Sequence, residues 1–397
     1  MTIYNFDTPL QRRETNCAKW GHYAPDVLPL WVADMDFPVA LPVREALHRQ
    51  IDLSGLGYPD AMGVDDLPEL RGLLVERMQR LYQWRIQPQD IVFTTGVVTA
   101  FHMASYAFVA PNQAVLVQPP VYPPIWHAAQ TTGVKHQAAP LTRLADGSYV
   151  VDWEHFEAAI TPETRMFLLC NPHNPVGRVF TRRELEKFAE ICLRHNVLIC
   201  SDEIHSDLVY TGHPHIPIAS LAPEIAERTI TLMAPSKTFN IAGLQCSFAI
   251  IPNPELRKQF QRGNKGIGGW VNTLGLVAAE AAYREGDDWL EQVLVYLESN
   301  RDFLAHYVAE KLPGIQMVKP EGTYLAWLDC RAFNLPSDPC SFFLENARIA
   351  LNDGRTFGPG GEGFVRLNFA CTRSTLEQAL DQMQQALAST QIQAPSA

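Results

Sequence analysis

The chain has no run of lysine and arginine, no C-x-x-C pair, no internal repeat, and no apolar stretch as long as the roughly 18 residues of a membrane-spanning helix. Each absence removes a class of function. With 32 Lys+Arg against 43 Asp+Glu the formal net charge is -11, and nothing basic is gathered to hold a nucleic-acid backbone or an anionic membrane surface. No nucleic-acid or membrane partner is expected. The eight cysteines are scattered. Cys170, Cys192, Cys200 and Cys246 fall inside apolar runs, where a cysteine packs as a small hydrophobe, so reduced thiols are expected. Met1-Thr-Ile-Tyr-Asn-Phe-Asp7 lacks a basic region followed by an apolar core, and a cytoplasmic location is expected. His213-Pro-His215 shows no acidic or cysteine partner, so both histidines are expected at the surface and no metal is expected. Gly358-Pro-Gly-Gly-Glu-Gly363 lacks the Lys-Ser/Thr and the preceding strand of a phosphate loop, which leaves a flexible turn.

What the chain does have is short apolar runs alternating with helical patterns. At 397 residues it has length for two lobes. Ile91–Phe93, Ala114–Val117, Met166–Cys170, Val197–Cys200, Thr229–Met233 and Phe248–Ile251 are continuously apolar, as strands of a parallel sheet covered on both faces are. Thr181-Arg-Arg-Glu184 is a capping box opening a helix to about His195, with Leu185, Phe188, Ala189 and Cys192 on one face. The alternation predicts an α/β architecture of right-handed βαβ units. From about Asp287 the pattern changes to a long amphipathic helix through Leu290, Leu294, Leu297 and Leu304, then strand-like spacing at Thr323–Asp329 and Gly363–Phe369. A smaller α+β lobe is expected there, packed with the N-terminal forty or so residues.

Ligands of open α/β sheets sit outside the carboxyl ends of the strands, so the residues that follow each run should line one pocket. After the first comes Thr94-Thr-Gly-Val-Val98, a glycine turn into a helix: a plain turn, or backbone N–H groups for a phosphate. After the second, Gln118-Pro-Pro-Val-Tyr-Pro-Pro124 stiffens the chain around Tyr122, as a packed loop or as a ring held against a planar ligand. Asn171-Pro-His-Asn-Pro-Val-Gly177 follows the third, a turn or an amide donor to a ring oxygen. Asp202, Glu203 and His205 follow the fourth, where a carboxylate either caps a helix or keeps a pyridine nitrogen protonated. Ser236-Lys237 follows the fifth. A lysine desolvated at a strand end loses its proton more readily and forms a Schiff base with an aldehyde.

The succession Asn171–Gly177, Asp202-Glu-Ile-His205 and Ser236-Lys-Thr-Phe-Asn240 resembles the aspartate-aminotransferase superfamily, the class I/II pyridoxal-5′-phosphate (PLP) enzymes of fold type I, over essentially the whole chain. Pro29-Leu-Trp-Val-Ala-Asp-Met-Asp-Phe37, Pro119–Pro124, Asp202–Leu208 and Gly363-Phe-Val-Arg-Leu-Asn-Phe-Ala370 narrow the resemblance to its cystathionine β-lyase, or C-S lyase, branch. The resemblance implies a large PLP-binding domain over 46–285 with a mostly parallel seven-stranded sheet between helices. A small α+β domain over 286–397 would pack with an N-terminal segment over 1–45. Lys237 would be the catalytic residue, forming the Schiff base and moving the Cα proton. Asp202 would pair with the pyridine nitrogen and Asn174 with the phenolic oxygen, His205 standing where many relatives have tyrosine, and Tyr122 would stack on the ring. Gly96, Val97 and Ser236 would contact the phosphate, with Tyr58 from the neighbouring subunit of a homodimer that shares its active sites. Arg366 would grip the substrate α-carboxylate, with Asn174, Tyr122, Trp31 and Ala33 also facing the substrate. Many relatives carry an arginine on the phosphate where this chain has Gln245. The implied reaction is β-elimination from L-cystathionine or a related cysteine thioether to a thiol, pyruvate and ammonia. Transamination on the same residues is the alternative, and a non-catalytic regulator on the same fold is a third reading.

Overall fold

Continuous apolarity decides which segments enter the central sheet, because a strand with helices on both faces has no solvent side. In the computed structural model, which describes residues 2–59, 66–266, 268–333 and 335–393, seven strands form it. They are β1 (Ile91–Thr94), β2 (Ala114–Val117), β3 (Lys135–Ala138), β4 (Thr164–Cys170), β5 (Leu198–Asp202), β6 (Thr229–Met233) and β7 (Ser247–Ile250). Their spatial order is β1-β7-β6-β5-β4-β2-β3. β7 is antiparallel to both neighbours and the other pairings are parallel. β3 corresponds to no apolar run. Its Lys135-His-Gln-Ala sequence lies at the sheet edge, paired only with β2, where water replaces a second neighbour. β5 extends past the apolar run, so that Asp202 itself pairs with Cys170 on one side and Leu232 on the other.

The helices that position the site are α1 (Leu41–Asp52), α2 (Val97–Phe108), α3 (Arg182–Arg194), α4 (Thr273–Glu285), α5 (Asp287–Lys311) and α6 (Arg373–Gln393). α2 lays Val97, Phe101 and Ala104 on one sheet face, against Val115, Leu168 and Ile230. α3 covers the other face with Leu185, Phe188 and Ile191 against Phe167, Leu169 and Ile199. Neighbouring β4 residues thus enter opposite cores, and each fully buried Leu or Phe contributes about 1.5–3 kcal/mol. The capping box forms as the sequence predicts, with Glu184 N donating to Thr181 Oγ1 and Thr181 N donating to Glu184 Oε2. The eight cysteines are all free, six of them buried.

A second, antiparallel sheet of order β8-β9-β11-β10 is built from β8 (Gln316–Met317), β9 (Leu325–Asp329), β10 (Asn352–Asp353) and β11 (Phe364–Asn368). Leu28–Pro29 pairs in parallel with Ile349–Ala350, which brings the N-terminal segment beside this sheet. Trp327 and Asn352 are the register partners of Arg366 on either side. Among the described residues no helix is long and apolar enough to cross a membrane.

Candidate active site

The carboxyl ends of the parallel strands share one edge of the central sheet, and the residues beyond them converge on a cavity of about 500 Å³. β7 runs the opposite way, so its beginning lies on that edge: Ser247 pairs with Thr94, and Gln245 and Cys246 just before it line the cavity. Gly96 is the N-cap of α2 and makes no side-chain cap bond, which leaves the first-turn N–H groups of a twelve-residue helix bordering the cavity. Tyr122 enters from beyond β2, Asn174 from beyond β4, Asp202 and His205 from β5, and Ser236 and Lys237 from beyond β6. Trp31 and Ala33 of the N-terminal segment and Arg366 of β11 close the opposite wall. These are the residues the sequence singles out, with one exception. Tyr58 is 87% exposed and sits edge-on against Trp270 on the outside of the molecule, away from the cavity of its own chain.

Lys237 Nζ donates to the Ala33 carbonyl at 2.6 Å. Burial is the largest influence on this amine; the charge of Asp34 opposes it, Arg366 reinforces it, and Asp202 opposes it, leaving the lysine lowered to about 8. Its side chain still meets the cavity surface, so the amine is enclosed yet reachable. Asp202 is raised to about 7, first by burial and further by the charge of Glu203, against the pull of the Ile204 N–H at 3.1 Å and of Lys237. His205 is lowered to about 3 by burial and by the charges of Lys237 and Arg366, and is neutral. Arg366 donates through Nη1 to Asn174 Oδ1 at 3.1 Å, and through Nη2 to the Trp31 carbonyl at 2.8 Å and Asn352 Oδ1 at 2.5 Å. Burial lowers it to about 10, which leaves it cationic at neutral pH.

Two buried polar atoms on the wall, His205 Nδ1 and Arg366 Nε, have no hydrogen-bond partner among the described residues. Leaving such atoms unpaired costs about 1–3 kcal/mol each, more for the charged one, so the cavity is shaped for a polar ligand. Glu203 points elsewhere: its carboxylate accepts from Ser201 Oγ at 2.8 Å and Ile218 N at 3.2 Å, and pairs with His215 Nε2 at 2.8 Å. This corrects the expectation that both histidines lie at the surface. His215 is buried because Glu203, on the neighbouring strand end, is the acidic partner that the local sequence does not display, whereas His213 is only partly buried, with Glu321 3.8 Å away. Asn352 is a wall residue the sequence does not reveal. It lies in a two-residue strand, too short for any periodicity, and reaches Arg366 only through the register of the second sheet. Among the described residues no group of three or more His, Cys, Asp or Glu is gathered as metal ligands would be.

Residues 25–383 match the family model described as aminotransferase class I and II. The chain belongs to this family. Within it, the chain is 41% identical over 394 residues to the cystathionine beta-lyase PatB of Bacillus subtilis (strain 168), covering 96% of this chain and 100% of that one. The solved structure of OvoB is 44% identical, with a TM-score of 0.91, over 97% of this chain and 100% of that one. Cystalysin from Treponema denticola, whose crystal structure contains a pyridoxal 5′-phosphate cofactor, is 33% identical, with a TM-score of 0.93, over 98% of this chain and 100% of that one.

Proposed function

We propose that this member of the class I and II aminotransferase family is a PLP-dependent carbon–sulfur β-lyase that converts L-cystathionine or a related cysteine thioether to a thiol, pyruvate and ammonia. The observation that carries the reading is the near full-length identity with a cystathionine beta-lyase, and the cavity chemistry agrees with it. When bound, PLP supplies an aldehyde for a lysine amine and a ring that draws electrons away from the substrate Cα. Lys237 would be the amine that holds that aldehyde; its lowered affinity for a proton makes it a nucleophile near neutral pH, and as a free amine it would take the substrate Cα proton. Asp202 would pair with the ring nitrogen, whose positive charge would favour the ionised form of this buried carboxyl. Asn174 and His205, whose Nδ1 has no partner, would hold the ring oxygen, and Tyr122 would stack on the ring. Ser236 and the N–H groups at Gly96 and Val97 would hold the phosphate. Arg366 offers its free Nε and its fork to the α-carboxylate, with Trp31 and Ala33 at the same wall.

Arg366 is the one arginine lining the cavity among the described residues. In this reading residues 46–285 carry the cofactor, and 286–397 with 1–45 carry the substrate grip. Leu56, Tyr58 and Trp270 are exposed and share one surface hollow. A second copy of the chain covers it, with Tyr58 of each copy reaching the phosphate held by the other. The test is to incubate the PLP-loaded protein with L-cystathionine and no oxo acid. Equal, catalytic release of pyruvate and free thiol supports the lyase; turnover that appears only after an oxo acid is added would replace it with an aminotransferase.

A further inference from the structure

The segment Trp31-Val-Ala-Asp-Met-Asp-Phe37, whose first three residues line the cavity, is a strap held by side chains from elsewhere in the chain. Arg366 donates to the Trp31 carbonyl, Lys237 and Tyr324 to that of Ala33, Lys19 to that of Asp34, and Arg12 to that of Met35. Two asparagines each bind its backbone at more than one point. Asn240, three residues past Lys237, donates through Nδ2 to the carbonyls of Met35 at 3.0 Å and Phe37 at 2.9 Å, and accepts from Met35 N at 3.1 Å. Asn368, two residues past Arg366, donates to the carbonyls of Val32 at 2.6 Å and Asp34 at 2.8 Å. The residue that takes the proton and the residue that grips the carboxylate are thus each followed closely by an asparagine that clamps one and the same strap.

We propose that Asn240 and Asn368 are positioning residues: through the strap they fix the separation of the Lys237 amine from the Arg366 guanidinium, and so aim the lysine at the Cα–H of a substrate whose carboxylate the arginine holds. Each amide binds the strap as a neighbouring strand would, with donors that an aspartate of the same shape lacks. Lys237 lies in the turn beyond β6 of the central sheet and Arg366 on the second sheet, and no hydrogen bond joins them directly among the described residues. The strap meets both. Of the cofactor's expected contacts Lys237 alone hydrogen-bonds to the strap; the others lie at the central sheet's edge and at α2, so cofactor retention depends on this alignment less than proton removal does. The inference rests on Lys237 taking the Cα proton.

The experiment is exchange of the Cα hydrogen of L-alanine in D₂O, followed by NMR with the PLP-loaded protein. Alanine has no leaving group, so exchange reports proton removal for lyase and aminotransferase alike. Absence of exchange in the parent protein would remove the lysine role itself, a failure distinct from that of the positioning. With exchange present, Asn240→Asp lowers its rate at saturating alanine by about tenfold or more, the scale on which a misplaced reacting group acts. Arg12→Gln changes a partly exposed contact of the strap and serves if the first variant does not fold; it lowers the rate by about threefold on the same basis. Cofactor binding, titrated by absorbance, stays within about a factor of two in both, because neither change touches the ring or phosphate wall. An unchanged exchange rate in a folded variant, or cofactor binding that falls in step with exchange, would overturn the proposal.

Discussion

Asp202 and Arg366 carry opposite charges on one cavity, and their surroundings treat those charges differently. The carboxylate ends a strand of the central sheet, receives one backbone N–H and has Glu203 beside it in the chain, so burial and repulsion raise it to about 7. The guanidinium, on the second sheet, is surrounded by the oxygens of Asn174, Asn352 and Trp31 and lies 5.1 Å from the Phe357 ring centre, and it stays cationic. A buried charge with few hydrogen bonds is held in readiness for a counter-ion, whereas one already solvated by neutral oxygens is a finished receptor. On the proposed reading the cofactor end is therefore completed by its ligand, whereas the substrate end is already cationic and has only Arg366 Nε left to pair.

The sharpest way to break this contrast is at Lys237, which lies between the two. Lys237→Ala lowers turnover of any amino acid by at least about a thousandfold, since among the described residues no other amine lines the cavity; pyruvate and thiol release near the parental rate would take the lysine out of the chemistry. Arg366→Lys keeps the charge and loses the fork, so kcat/KM falls by about a hundredfold, mainly through KM, while cofactor titration is unchanged. Equal losses in both would mean that the two ends are not separate. Gln245→Arg adds a cation to a phosphate end built from neutral donors, and tightens cofactor binding by about tenfold or less in equilibrium titration. The smallest effect concerns the cofactor-free protein. Asp202 has a folded pKa of about 7, above its ordinary 3.8, so the folded state holds more protons than the unfolded state in that window and the parent loses stability as pH rises through it. Asp202→Asn has no such loss. The difference in Tm should widen in favour of the variant between about pH 4 and pH 8, the His205 contribution being common to both; a constant difference would show that the carboxylate is not held under strain.

The central sheet and its strand ends were readable because burial on both faces writes itself as continuous apolar runs, and a polar residue at the end of such a run stands out. Asp202, Asn174 and Lys237 were found in that way, and Arg366 by resemblance. β3 was not readable, since an edge strand exposed to water needs no apolar run. Nor was the burial of His215, because its partner Glu203 belongs to a strand end that the turn gives no sign of. Asn368 lies more than 300 residues from the carbonyls it holds, and only the register of the second sheet makes that contact. Asn240 stood inside a motif already singled out, yet its partners are some 200 residues earlier, and nothing local distinguishes a clamp from a turn residue.

Two of the buried cysteines, Cys170 and Cys246, line the cavity itself. A reaction that expels thiols there sends a steady supply of small sulfur nucleophiles, and of the disulfides they become in air, past the protein's own sulfur atoms. Attack on a disulfide requires the thiolate. Burial pushes the Cys246 thiol up to about 12, and burial together with the charge of Asp202 pushes Cys170 higher still, so both keep their protons at neutral pH. The cavity is thus lined with sulfur that is chemically quiet, and the enclosure that sensitises the lysine also passivates its neighbours against capture by the product.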